Sequence, residues 1–118
     1  MNEDKDLWVR TKALRAIHQN PNITTRELAK IAGISNGSAF YCLKGLIDKG
    51  WVKARNYSQS NNKAKYLYIL TPSGIKQKVK LTLAYLERRK HEYEELKVEI
   101  EVLQGELRNE KDRGMMHE

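Results

Sequence analysis

The apolar positions fall first in a helical rhythm. Trp8, Leu14 and Ile17, with the small Ala13 and Ala16, recur on one face between about residues 5 and 18, and Asn20-Pro21-Asn22 then interrupts the pattern. A second, shorter helix is announced by Thr24 and Glu27, spaced so that hydroxyl and carboxylate each meet an orphan backbone N–H in a capping box. Leu28, Ala29, Ile31 and Ala32 give that helix one apolar side. Gly33 supplies the positive φ that ends it, Ile34 plugs the turn, and Ser35 is an N-cap for a third helix. From Asn36 to Lys49, the residues Ala39, Leu43, Leu46 and Ile47 stand at i, i+4, i+7 and i+8, the stripe of a helix lying against a core, with Gly50 as its stop.

The period then changes. Trp51-Val52-Lys53-Ala54-Arg55 and Lys65-Tyr66-Leu67-Tyr68-Ile69-Leu70 are β-favouring runs separated by the polar segment YSQSNNKA, which predicts a hairpin with a long tip. Thr71-Pro72 opens a further helix, threonine as N-cap and proline in the first turn, where its missing N–H costs nothing. No proline occurs after it, and the helix is expected to run to about residue 108, roughly 55 Å at 1.5 Å per residue, more than a small domain covers. Val79, Leu86, Tyr93, Ile100 and Leu107 mark one heptad position, and Ile75, Thr82, Arg89, Leu96 and Leu103 the other, with Thr82 and Arg89 as weak links. Ile75 to about Leu86 suits packing back on the chain's own domain. The set assigned to dimerisation is Val79, Leu86, Tyr93, Leu96, Ile100, Leu103 and Leu107, and Glu92 and Lys97 flank that seam.

The expected architecture is therefore mainly α with a small β-hairpin (α+β). A winged helix-turn-helix domain occupies residues 1–71, and a long C-terminal coiled-coil helix with a frayed tail occupies 72–118.

Composition narrows the chemistry. The 118 residues are 40% hydrophobic and 31% charged, as in an ordinary globular chain, and no apolar run approaches the roughly 20 residues of a membrane span. The acidic start MNEDKDLW does not read as a secretory signal, so a cytoplasmic protein is expected. Cys42 is alone and reads as a small buried hydrophobe. His18, His91 and His117 are scattered, and no nucleophile with its base, paired-carboxylate site or phosphate-cradling glycine loop stands out; neither catalysis nor a cofactor or metal is expected.

Charge points to a partner. The net charge is +7, and all of it lies before residue 71, where twelve Lys/Arg face five Asp/Glu; the remainder is balanced at ten against ten. Between residues 30 and 65, seven cations face the single anion Asp48. In a helix-turn-helix, the third helix presents one face to a major groove about 12 Å wide. That face here comprises Ser35, Asn36, Gly37, Ser38, Phe40, Tyr41 and Lys44, with the positive helix dipole at its N-terminal end. Thr25 and Arg26 at the start of helix two, and Lys53, Arg55, Lys63 and Lys65 along the hairpin, are placed to meet phosphates. For Phe40, packing against helix one or the hairpin is the alternative to touching DNA. Trp51 reads as a core residue, and Gly37 and Gly45 as positions of close backbone approach to DNA or to another helix.

The run ITTRELAKIAGISNGSAFYCLKGLIDKGWVKARN, together with YLYILTPSGIKQK, resembles the MarR-type winged-helix regulators, and in particular the group described as EPS-associated transcriptional regulators of bacteria. The resemblance covers about residues 7 to 100, and YCLKGLIDKGWVKA and LTPSGI carry most of it. It implies a homodimeric bacterial transcription factor connected with exopolysaccharide genes, bound to an inverted-repeat operator in double-stranded DNA. The Asp-x-Arg signature of such wings is absent from YSQSNNKAK, and the chain begins almost directly at helix one, so an effector cleft of the usual kind is not implied. The competing reading is a winged-helix adaptor that binds proteins without specific DNA recognition.

Overall fold

The computed structural model describes residues 3–58 and 64–114, so Lys63 and most of the expected C-terminal tail lie outside the described residues. The elements are α1 (Glu3–Gln19), α2 (Thr25–Ala32), α3 (Asn36–Asp48), β1 (Val52–Ser58), β2 (Ala64–Leu70) and α4 (Pro72–Asp112). Three helices, a two-stranded antiparallel hairpin and a long last helix make a winged helix-turn-helix with a C-terminal helix appended.

Local chemistry sets the boundaries. The Glu27 amide donates to Thr24 Oγ1 at 3.0 Å, and the Thr24 amide to Glu27 Oε1 at 2.9 Å, so the capping box at α2 is complete. Gly33 ends α2 at φ 71°, in the left-handed region, and the Ile34 amide donates to the Ala29 carbonyl at 3.0 Å. Ser35 then caps α3, its Oγ accepting from the Ser38 amide at 3.1 Å. The core gathers Leu14 and Ile17 of α1, Ile23, Leu28 of α2, Leu43 and Leu46 of α3, Val52 and Leu70, with Trp51, Tyr68 and Leu81 packed against it. Complete burial of a leucine or isoleucine is worth about 1.5–3 kcal/mol, so this cluster fixes how α3 is held. Thr11 is buried among these side chains without an orphaned hydroxyl, because Oγ1 donates to the Leu7 carbonyl at 2.6 Å.

The hairpin is longer than its β-favouring runs. The ladder pairs Val52 with Leu70 and continues to Ser58 opposite Ala64, recruiting Asn56 and Tyr57, because each added pair of cross-strand hydrogen bonds outweighs the poor strand preference of asparagine. The Tyr68 amide donates to the Pro21 carbonyl at 2.9 Å, which ties the α1–α2 connection to β2.

The chain forms two compact units, one ending at Tyr85 and the other beginning at Leu86. The first turns of α4 thus belong with the N-terminal unit, beyond the boundary at residue 71 expected from sequence. Their contacts explain it: Leu81 touches the core, Tyr85 meets Trp8 edge-on with centroids 5.5 Å apart, and Lys78 Nζ lies 2.9 Å from His18 Nδ1. Thr71 joins the start of α4 to the end of α3. Its hydroxyl donates to the Gly50 carbonyl at 2.6 Å and accepts from the Gly74 amide at 3.0 Å, while its own amide donates to the Trp51 carbonyl at 3.0 Å.

The second unit is the rest of α4. Its polar positions carry exposed ion pairs three residues apart, Arg89 with Glu92 at 3.0 Å and Lys90 with Glu87 at 3.7 Å, each of a kind worth a few tenths of a kcal/mol to a helix. Among the described residues, no helix is long and apolar enough to cross a membrane.

Candidate nucleic-acid interface

Helix α3 has two unlike sides. Ala39, Leu43 and Leu46 are buried, whereas Asn36, Gly37, Phe40, Tyr41 and Lys44, at i, i+1, i+4, i+5 and i+8, are all exposed. Ser35 and Ser38 are exposed at the N-terminal end, where Ser35 Oγ serves as cap and lies 3.0 Å from the Ser38 hydroxyl, to which it is hydrogen-bonded. The first turn carries no acidic residue, so nothing there offsets the positive end of the helix dipole.

Of the two alternatives at Phe40, burial in the core of the domain is not what the structure shows. Its side chain is 56% exposed and that of Tyr41 is 73% exposed, and the two rings meet edge-on with centroids 6.0 Å apart. Tyr41 also borders a cavity of about 480 Å³ between α1 and α3, whose lining includes Arg10, Ile34, Cys42 and Gly45. Burial there pushes the Cys42 thiol pKa up, Arg10 opposing and Asp6 adding to the shift. Among the described residues, the glycines at 37 and 45 have no close approach. A Cβ at residue 37 would meet only Ser35 Oγ at 4.0 Å, and one at residue 45 nothing within 4 Å.

On α2, Thr25 is half-buried and Arg26 exposed. On the hairpin, Lys53 and Arg55 are exposed and, two residues apart, share one face of β1, with Ile69 and Leu67 as their cross-strand partners. Lys65 lies in β2 opposite Tyr57. Among the described residues, Arg26, Lys44, Lys53 and Arg55 enter no ion pair, and their charges are not spent within the fold. Trp51 is half-buried against the core, with the Lys49 ammonium 5.4 Å from its ring centroid.

The residues set aside for assembly are also exposed. Val79 in the first unit, and Leu86, Tyr93, Leu96, Ile100, Leu103 and Leu107 in the second, are all about half exposed or more, as are Val98 and Val102. Glu92 pairs with Arg89 on its own helix, and the Lys97 ammonium lies 5.8 Å from the Tyr93 ring centroid.

Residues that sequence reasoning passed over support the interface from behind. Gly74 is one: a Cβ there would stand 1.9 Å from the Trp51 carbonyl oxygen. The available signal was its place as the third helical residue after the Thr71 cap, the position that Glu27 fills in α2.

Residues 9–53 match the family described as winged helix-turn-helix DNA-binding. A comparison with curated protein sequences gives no match. Among solved structures, a MarR/EmrR family transcriptional regulator from Acinetobacter sp. ADP1 aligns with TM-score 0.60 at 20% identity, covering 88% of this chain and 75% of that one. The transcriptional regulator SlyA aligns with TM-score 0.62 at 18% identity over 89% and 72% of the two chains. MepR of Staphylococcus aureus, in a complex with DNA, aligns with TM-score 0.55 at 20% identity over 83% and 76%. At such identities the likeness establishes the fold: this chain carries a winged helix-turn-helix of the kind found in MarR-family regulators.

Proposed function

We propose that this protein is a sequence-specific regulator of transcription that binds double-stranded DNA as a homodimer. The observation that carries the reading is the face of α3, where Asn36, Gly37, Phe40, Tyr41 and Lys44 are exposed together over a buried Ala39, Leu43 and Leu46 stripe. In this reading α3 enters the major groove, and Arg26, Lys53 and Arg55 hold phosphates on either side, with Lys63 and Lys65 extending that contact along the wing. The resemblance to MarR-type regulators and the structural likeness to MepR in its DNA complex support it.

The heptad residues of α4 pair two protomers. A chain of this size that leaves Leu86, Leu96, Ile100, Leu103 and Leu107 exposed on one helix gains by covering them with a second copy. Two recognition helices then read an inverted repeat with half-sites about one helical turn, roughly 10 bp, apart or a multiple of it. The resemblance of YCLKGLIDKGWVKA and LTPSGI to the exopolysaccharide-associated group makes those gene clusters the first operators to examine, in a bacterial cytoplasm.

Selection of bound fragments from random duplex DNA tests the reading. An inverted repeat with fixed half-site spacing is the expected outcome. Fragments without a shared motif contradict specific recognition.

A further inference from the structure

From the chemistry of α3, and resting on the proposed DNA-binding function, we infer that Phe40 reads the 5-methyl group of thymine, so that the half-site contains an A·T pair selected by an apolar contact.

Each base pair shows the major groove a distinct edge. Guanine offers two acceptors that arginine or lysine fills, adenine an acceptor and a donor that match a side-chain amide, and thymine a methyl group that suits apolar contact. The exposed face of α3 holds no arginine, and its single cation, Lys44, lies two turns beyond Asn36. Its N-terminal half therefore offers an amide at Asn36 and the rings of Phe40 and Tyr41, which is chemistry for adenine and thymine rather than guanine, beside hydroxyls at Ser35 and Ser38 that suit either pair.

Phe40 is the chain's one phenylalanine, and it is more than half exposed and lies outside the buried core. It sits one turn after Asn36 and one turn before Lys44, between the two polar groups of the same face. Tyr41 braces it edge-on, which restricts where the phenyl face can point. Gly37, in the turn before it, adds no side chain that would hold the ring away from a base edge, and a Cβ there would meet only Ser35 Oγ at 4.0 Å.

The test begins with a duplex carrying the inverted repeat obtained by selection and replaces each thymine of the half-site in turn by uracil, which deletes the methyl and keeps both base pairing and every polar group of the groove edge. Burial of one methyl corresponds to about a fourfold change in affinity, so uracil at the contacted position in both half-sites is expected to weaken binding about 15-fold. In Phe40→Ala, whose site is exposed and whose fold is checked by circular dichroism, the thymine and uracil duplexes are expected to bind alike, which assigns the methyl to this side chain. Equal binding of thymine and uracil duplexes by the unaltered protein at every position overturns the inference while leaving specific DNA binding intact, as does a selected half-site of G·C pairs alone. Failure to select any motif overturns the inference together with the reading beneath it.

Discussion

Gly74 and Trp51 are in contact through their backbones: a Cβ on residue 74 would lie 1.9 Å from the Trp51 carbonyl oxygen and 2.9 Å from its carbonyl carbon. Neither atom belongs to a flexible side chain, so the first turn of α4 and the residue joining α3 to the hairpin cannot separate to admit a methyl group without moving the elements themselves. That carbonyl also accepts from the Thr71 amide at 3.0 Å, which fixes the approach. Gly74→Ala is expected to destabilise the N-terminal unit by about 2 kcal/mol, in the range of backbone overpacking, and to lower the urea midpoint.

The same substitution has the opposite sign at Gly45. A Cβ there meets nothing within 4 Å, and the position is helical, so Gly45→Ala is expected to stabilise by about 0.5–1 kcal/mol. A matched pair of urea denaturation curves checks both variants, and a loss of stability at Gly45 contradicts the packing described for α3.

How much of the fold was readable from residues alone depended on distance along the chain. The Thr24–Glu27 box, the Gly33 stop, the Ser35 cap and the two sides of α3 are all local events, written within a few residues of one another, and each appears where the pattern put it. The role of Gly74 is not local. LTPSGI reads as a cap with proline after it, and the contact that forbids a side chain at Gly74 comes from Trp51, more than twenty residues earlier. Among the described residues nothing approaches Gly37 or Gly45 closely, and helix propensity shows that glycine is costly there but not what lies opposite. The pattern of α4 suggested that Ile75 to about Leu86 would pack back on the domain, but not which residues would meet them: Trp8 against Tyr85 and His18 beside Lys78 are contacts between residues sixty or more positions apart.

Loss of the α3 cap should be felt locally. Ser35→Ala removes the acceptor for the Ser38 amide and is expected to cost about 1 kcal/mol. Because the capped turn leads directly into Asn36 and Gly37, the variant is also expected to bind DNA more weakly than its stability loss explains. Ser35→Asp, which restores the cap with an anion, should recover stability while repelling phosphate. Recovery of both properties would mean that Ser35 acts as a cap alone.

Burial raises the Cys42 pKa, Arg10 only partly opposing it. The thiolate is therefore scarcer in the folded protein at mildly alkaline pH, and iodoacetamide is expected to alkylate Cys42 more slowly in buffer than in urea. The same shift sets the sign for stability: with the folded pKa above the unfolded one, this group's contribution is complete below the unfolded value and falls as pH rises through the folded value. Equal alkylation rates in the two states would contradict the burial described.

Assembly has its own test. Ile100 lies in the middle of the exposed heptad of the second unit; the protein is expected to scatter light as a dimer and Ile100→Asp as a monomer, with the N-terminal unit unaltered. A mass unchanged by this substitution removes the distal helix from the interface.

A cationic, groove-reading face built from α3 and the hairpin is best tested by fluorescence anisotropy across a salt series. With Arg26, Lys53, Arg55, Lys63 and Lys65 from each of two protomers, about ten phosphate contacts predict a fall in affinity of about 10⁵-fold between roughly 50 and 200 mM salt, and Arg55→Ala should reduce the logarithmic slope by about 2. A DNA-reading face of this kind gives that steep dependence together with tighter binding to the selected inverted repeat than to random duplex. Affinity that barely moves with salt, or that is equal for the two duplexes, contradicts it.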